Sequence, residues 1–240
     1  MNDETRGSSR RAFLAGTGAL AGSALAGCNG LVSGPGSEGT PTARDVSLPT
    51  PYKGPEDASV TVGVYKDFAC PACRQFDQQI APQVEREYVD PGVVRLEHYD
   101  FPLDMHEPDS YTAANAARAV QHAADDAAFF AYADLLFDNQ ADLGPSTYAD
   151  LAGDVDVDGE RVRSDAEGRT YRSVVEADKQ QGIDAGVRGT PWVFVNGSAL
   201  DGFGWETVRS AIENARSEGW GRERGAGEGS ADPVARSEGS

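Results

Sequence analysis

The chain has 240 residues, enough for one folded domain with a hydrophobic core and flanking segments. Its hydrophobic fraction of 39% and charged fraction of 25% are those of an ordinary globular protein. The formal net charge of −18 would repel a phosphate backbone, so the composition argues against a nucleic-acid partner.

The acidity has two interpretations, a disordered solvating chain or a folded protein adapted to strong salt. Aromatic residues make up 8% of the chain, and periodic apolar segments follow below, so a folded protein is favoured. Nearly all of the positive charge is arginine, and the lysines are Lys53, Lys66 and Lys179. This acidic, lysine-poor profile resembles that of proteins from extreme halophiles, so we expect salt to stabilise the fold.

Residues 1–28 have the composition of a targeting segment. Paired arginines directly precede an apolar run, residues 12–27, that is short and glycine-rich for a membrane-spanning helix. This arrangement resembles a twin-arginine export signal. Small residues lead to Cys28, which resembles the acylated cysteine of a lipobox. We therefore expect an extracytoplasmic protein that lipidated Cys28 anchors to the cell membrane.

Low-complexity segments flank the folded part. Residues 29–51 are rich in Gly, Ser, Pro and Thr and lack an apolar period, which predicts a flexible tether. Residues 217–240 are rich in Gly, Glu, Ser and Arg, which predicts a disordered tail. The fold is thus expected within residues 52–216.

The first folded segment has a strand–helix–strand pattern. Residues 60–65 are β-branched and apolar, as in a buried strand, and residues 93–99 read as a second strand. Between them, apolar residues four apart predict an amphipathic helix over residues 74–88. Pro82 predicts a kink or break in that helix.

A helical block follows, and the chain then returns to strands. Ser110 is a candidate cap for a helix that reaches residue 139, Ser146 for a short helix, and residues 159–181 form a third candidate. The last elements are a strand over residues 192–195, an Asn-Gly hairpin turn, a second strand and a closing helix over residues 205–216.

Cys70 and Cys73 have the spacing of a redox pair at a helix start. Their disulfide would close a very small loop and add little stability, which favours a working bond over a structural one. Free N–H groups and the positive end of the helix should lower the pKa of Cys70, making it the attacking thiolate. Cys73, one turn further, would be the resolving thiol. A structural zinc site is disfavoured because the sequence does not offer four suitably spaced ligands. A carrier that binds a soft metal ion through the two thiolates remains an alternative.

Two motifs resemble the DsbA-like thioredoxin family. The first is the active-site segment Asp67-Phe68-Ala69-Cys70-Pro71-Ala72-Cys73. The second is Gly189-Thr190-Pro191-Trp192-Val193-Phe194-Val195-Asn196-Gly197, which resembles that family's cis-proline loop and hairpin. The resemblance covers about residues 52–216.

The resemblance implies an α/β thioredoxin fold in two parts, residues 52–104 and 183–216, with an all-helical insertion over residues 105–182. It also implies a cis Pro191 beside Cys70, with Thr190 and Pro191 shaping the groove for an extended substrate.

The residues around the cysteines carry further expectations. Pro71 and Ala72 form the active-site loop, and Ala72 replaces the histidine of the strongly oxidising member. This leaves open whether the enzyme oxidises, reduces or isomerises. We interpret Asp67 as a residue that ends its strand at the surface, and His106 and Trp192 as loop or core residues.

The expected function is an exported thiol–disulfide oxidoreductase that acts on thiols or disulfides of exported proteins. The redox-active disulfide requires no organic cofactor and no metal. A membrane protein or a thioredoxin-like protein would reset the pair. The alternative is a thioredoxin-fold carrier that binds a cuprous ion through the same two cysteines.

Overall fold

The computed structural model describes residues 46–227, with side chains as far as residue 218. The predicted signal, Cys28 and the greater part of the tether lie outside the described residues, as does the end of the tail. No helix in the described part of the chain is both long and apolar enough to cross a bilayer.

Five strands form one mixed sheet in the order β1-β3-β2-β4-β5. Their bounds are β1 Tyr52–Lys53, β2 Val60–Lys66, β3 Val94–Asp100, β4 Trp192–Val195 and β5 Ser198–Ala199. Strands β2 and β3 are parallel, while β1, β4 and β5 run antiparallel to their neighbours. The central β2 is buried along most of its length, as its β-branched sequence predicts. The predicted order, β–α–β, helical block, β–β–α, is confirmed from β2 onwards, whereas the short edge strand β1 was not predicted.

Helix α1, Pro71–Gln79, starts directly after Cys70 and packs on the sheet. Its backbone breaks at Ile80, and α2, Ala81–Val84, continues into a π-helical turn over Glu85–Val89. Pro82 lies in the first turn of α2, where its missing N–H costs no helical hydrogen bond, so the predicted break is confirmed.

Five helices separate β3 from β4. They are α3 Asp109–Ala123, α4 Asp126–Asp138, α5 Pro145–Gly153, α6 Gly159–Glu167 and α7 Arg172–Asp184. Short 3-10 turns, Asp104–His106 and Gln140–Asp142, precede α3 and α5.

The helical block is more divided than the sequence predicts. The single helix expected up to residue 139 is two helices, because Asp125 caps α4 by accepting a hydrogen bond from the backbone N–H of Ala128. Ser110 lies inside α3, where its hydroxyl donates to other groups, so its predicted capping role is wrong.

Two further boundaries differ from the predictions. The candidate helix over residues 159–181 ends at Glu167, and Arg169 has a positive φ of 49° before α7 begins. Ser146 lies within α5, whose cap position is Gly144, so this capping prediction is also wrong. Isolated Gly and Arg residues carry too weak a signal to mark such breaks in sequence.

The chain closes with a hairpin and a helix. Asn196 and Gly197 have positive φ values of 48° and 79°, the backbone of the two-residue turn that this dipeptide predicts. Helix α8, Trp205–Gly227, packs on β4 and β2. It extends into the stretch for which the sequence predicts a disordered tail.

Two main hydrophobic clusters hold these elements together. One lies between the sheet and helices α1 and α8, around residues such as Phe76, Val193 and Ile212. The other fills the helical block and includes Phe129, Leu136 and the two cysteines. The cysteine pair therefore lies where the sheet-based part meets the helical block.

Candidate active site

Cys70 and Cys73 are free thiols at the start of α1. Cys70 occupies the cap position with an extended backbone, and its carbonyl accepts a hydrogen bond from Arg74 N–H at 3.1 Å. Cys70 is 6% exposed and Cys73 is fully buried. This asymmetry lets a substrate reach only the first sulfur.

The Thr190–Pro191 peptide bond is cis and lies beside the sulfurs, although Pro191 is far away in sequence. The Cys70 sulfur lies 3.5 Å from the Thr190 carbonyl oxygen, which accepts a hydrogen bond when Cys70 is protonated. Pro191 is buried, and β4 starts at the next residue, antiparallel to β2. The structure thus brings together the four residues to which the sequence assigns catalysis and substrate binding, with Pro71 exposed and Ala72 partly exposed between the cysteines.

The two thiols have opposite electrostatic environments. The hydrogen bond from Cys73 is the main cause that lowers the pKa of Cys70, and Thr190 and the backbone at Ala72 and Cys73 lower it further, to about 5. Burial raises the pKa of Cys73 well above its ordinary value. At neutral pH the dithiol therefore holds a thiolate at Cys70 and a proton at Cys73.

Asp67 is a buried anchor of the active-site turn. Its Oδ1 accepts from the backbone N–H of Ala69 at 2.8 Å. Its Oδ2 accepts from Leu103 N–H at 3.1 Å, faces Nδ1 of His106 at 2.9 Å and accepts from the Ser110 hydroxyl at 2.9 Å. Asp67 is 2% exposed, so the expectation of a surface position is wrong. Its carboxylate faces inward because these donors from the helical block converge on it.

Three backbone groups complete the attachment of this turn. The Asp67 N–H donates to the Cys73 sulfur at 3.4 Å. On the other side, the amide of Gln140 donates to the carbonyls of Phe68 at 2.7 Å and Cys70 at 3.0 Å. The helical block therefore fixes the active-site backbone from both sides.

A buried ion pair lies beneath the resolving cysteine. Lys66 Nζ lies 2.9 Å from Asp77 Oδ1, and both side chains are less than a tenth exposed. Burial alone would lower the pKa of Lys66, but Asp77 and smaller contributions from Asp134 and Cys73 raise it. Burial and the charge of Asp77 raise the pKa of Asp134 to about 6. Lys66 thus places a positive charge near the Cys73 sulfur.

Sequence reasoning did not identify Gln140, Lys66 or Asp77 as parts of this site. Their contacts join residues that are far apart in sequence, and a glutamine or a salt bridge carries no motif.

His106 is partly exposed and bound to Asp67, and Trp192 is partly buried in a small aromatic cluster. Within residues 46–227, no group of three or more His, Cys, Asp and Glu side chains is placed to hold a metal ion.

Comparisons with known proteins identify the family of this chain. The family model described as Thioredoxin matches residues 47–214. A "Probable disulfide bond formation protein D" from Bacillus cereus is 31% identical over 169 residues, which cover 67% of this chain and 76% of that protein.

Solved structures give the same result. The oxidised form of BdbD from Bacillus subtilis has a TM-score of 0.66 and 26% identity, covering 70% of this chain and 93% of that one. DsbA from Chlamydia trachomatis has a TM-score of 0.64 and 18% identity over 70% and 91% of the two chains, and shows the common fold. The chain therefore belongs to the thioredoxin family, as a DsbA-like thiol:disulfide oxidoreductase.

Proposed function

We propose that this enzyme introduces disulfides into exported proteins through Cys70 and Cys73. The observation that carries the proposal is the asymmetry of the pair: Cys70 lies at the start of α1 and is slightly exposed, whereas Cys73 is fully buried, so the pKa of Cys70 is lowered and that of Cys73 is raised. A stabilised Cys70 thiolate stabilises the reduced pair, and a pair with a stable reduced form is a good oxidant. The pKa of about 5 lies between about 7 in thioredoxin and about 3.5 in DsbA. Ala72 stands where the strongly oxidising family member has a histidine, so we expect this pair to be less oxidising than that member.

The reaction begins with the Cys70–Cys73 disulfide. A substrate thiolate attacks the Cys70 sulfur, forms a mixed disulfide and releases Cys73, which takes up a proton. A second substrate thiolate then attacks the first substrate sulfur and releases Cys70 as its thiolate. The substrate loses two electrons, and the enzyme pair gains them.

The chain's own residues support each step. Thr190 and Pro191 border the accessible sulfur, so an extended substrate segment can lie against them. Lys66 reduces the cost of charge on Cys73 when that sulfur leaves. No organic cofactor or metal enters this cycle, and a membrane or thioredoxin-like partner must reoxidise the pair.

The cellular setting rests on the amino-terminal sequence. The paired arginines and Cys28 support export and lipid anchoring, which would hold the enzyme on the extracytoplasmic side of the membrane. The net charge of −18 supports a requirement for salt. Mass spectrometry of the mature protein tests the anchor, since an unmodified Cys28 would exclude lipidation.

The reduction potential tests the direction of the reaction. Equilibration with defined thiol–disulfide buffers should give a value nearer to about −120 to −180 mV than to about −270 mV. A value near about −270 mV would make the enzyme a reductase and overturn the proposed direction. Oxidation of reduced, unfolded ribonuclease A gives an independent activity measurement.

A trapped intermediate tests the roles of the two sulfurs. Cys73→Ala should accumulate mixed disulfides through Cys70, whereas Cys70→Ala should form none. Absence of adducts in both variants, with stoichiometric binding of cuprous ion by the native protein, would favour the carrier function instead.

A further inference from the structure

Two arginines differ from every other basic residue whose side chain the structure describes. Within residues 46–218, Arg74 and Arg188 alone among lysines and arginines lack an ion pair, whereas the others each have a carboxylate within 4 Å. The chain has nearly twice as many acidic as basic residues, so carboxylates are available to pair with most guanidinium groups.

Both arginines flank backbone segments that contact Cys70. Arg74 directly follows Cys73, and its backbone N–H donates to the Cys70 carbonyl at 3.1 Å. Arg188 lies two residues before Thr190, whose carbonyl oxygen is 3.5 Å from the Cys70 sulfur. One arginine therefore belongs to the first turn of α1 after the cysteines, and the other to the cis-proline loop.

The available donors of these arginines are not used within the described chain. Nε of Arg74 is buried and has no hydrogen-bond partner, and the rest of the side chain is partly exposed. Arg188 is exposed. Their charges are thus free for an incoming molecule.

We propose that Arg74 and Arg188 form a cationic rim that selects substrate segments with Asp or Glu close to the reacting cysteine. A guanidinium binds a carboxylate through parallel hydrogen bonds, so two of them can orient an acidic segment as well as attract it. An extended segment against Thr190 would pass beside Arg188, with its cysteine at Cys70. This inference names the substrate class for the proposed function and rests on it.

The test uses the full-length oxidised enzyme and three dithiol peptides that differ only in flanking residues, which are Glu, Gln or Lys. Oxidation of each peptide is followed by fluorescence at 0.15 M and 1 M salt. We expect the Glu peptide to react fastest at 0.15 M, with a smaller advantage at 1 M because salt screens the charges. Each of Arg74→Gln and Arg188→Gln should reduce the Glu-to-Gln rate ratio by about 1.5- to 5-fold.

Two further variants sharpen the result. Arg188→Glu should shift the preference towards the Lys peptide. Arg161→Gln removes the same charge from an exposed residue of α6 that has a carboxylate partner, and it should leave the Glu-to-Gln ratio unchanged.

The outcomes distinguish failure of the cationic rim from failure of the proposed function. Equal rates for the Glu and Gln peptides in the native enzyme, or a ratio that Arg161→Gln lowers as much as the rim variants, would overturn the rim alone. Failure to oxidise even the Gln peptide would overturn the proposed function and the rim with it.

Discussion

Two polar regions hold the helical block in place, and they differ in how they do so. In the active-site turn, residues 67–73, backbone N–H groups, the Ser110 hydroxyl and His106 converge on Asp67, and Gln140 donates to two carbonyls. In the second region, which we term the Arg118 cluster, Arg118 binds Asp100 and Asp178 with Nε–O and Nη2–O distances of 2.6 and 2.5 Å. The first region surrounds a sulfur that must react, and the second lies in the interior.

In the Arg118 cluster, the arginine keeps Asp100 charged against the effect of burial. Arg118 is fully buried and also donates to Gln121 at 2.9 Å. Although burial alone would raise the pKa of Asp100, Arg118 and His98 hold it at about 2. Burial lowers the pKa of His98 to about 4, so His98 is neutral at pH 7. Buried ion pairs therefore hold the Arg118 cluster together, whereas the active-site turn is held mainly by hydrogen bonds. Among the described side chains, no cation is in direct contact with the Cys70 thiolate.

Removing the reactive sulfur should abolish activity and leave stability nearly unchanged, which is the largest difference expected between the two regions. Cys70→Ser should reduce the oxidation of unfolded ribonuclease A to the uncatalysed rate, because serine cannot form the mixed disulfide. Its free energy of unfolding, compared with the reduced native protein at pH 5, should change little, since Ser differs from Cys by one atom. Substantial residual catalysis by this variant would contradict the assignment of Cys70 as the nucleophile.

Breaking the Arg118 cluster should have the largest effect on stability. Arg118→Met leaves two buried carboxylates without their cation, and loss of one partner of a buried pair costs about 3–5 kcal/mol. Urea unfolding measures the loss in free energy. The exposed ion-paired Arg161, changed to Met, is the matched control and should cost no more than about 1 kcal/mol. An equal, small loss in both variants would show that the cluster does not stabilise the fold.

These two regions also mark how far the sequence can be interpreted. The spacing of Cys70 and Cys73 predicts a redox pair at a helix start, and the resemblance to the DsbA-like family implies that Pro191 lies beside Cys70, so the proximity of these residues could be expected. The Arg118 cluster and the Gln140 contacts could not be expected. Arg118 of α3 binds Asp100 of β3 and Asp178 of α7, which are 18 and 60 residues away, and Gln140 binds the active-site turn from about 70 residues away. Asp67 was interpreted as a surface residue for the same reason, since its partners come from a distant segment.

The pH dependence of Cys70 tests the charge difference between the regions. Alkylation of the reduced protein by iodoacetamide should have a midpoint near pH 5 and fall about tenfold per pH unit below it, because only the thiolate reacts. Cys73→Ala should move that midpoint upwards, since Cys73 is the main cause of the lowered pKa. A native midpoint near pH 9 would contradict the proposed electrostatics.

The lowered pKa of Cys70 also makes the stability of the reduced protein depend on pH. The folded pKa of Cys70 is about 5 and the ordinary value is 9.0, so the unfolded chain binds more protons between these limits. The stability that the thiolate adds is complete above pH 9, declines as the pH falls and is lost below pH 5. The difference in unfolding free energy between the reduced native protein and Cys70→Ser should follow this curve.

The smallest effect is expected from the neutral support of the active-site turn. Gln140→Ala removes two hydrogen bonds to the carbonyls of Phe68 and Cys70, and a hydrogen bond contributes about 1 kcal/mol. We expect a loss of about 1–2 kcal/mol by urea unfolding, with a higher midpoint for alkylation of Cys70 because the helix start is less firmly held. Gln180→Ala, in an exposed part of α7, is the control. A loss of stability without any change in the alkylation midpoint would mean that Gln140 supports the fold but not the sulfur, and that the catalytic turn keeps its geometry without this contact from the helical block.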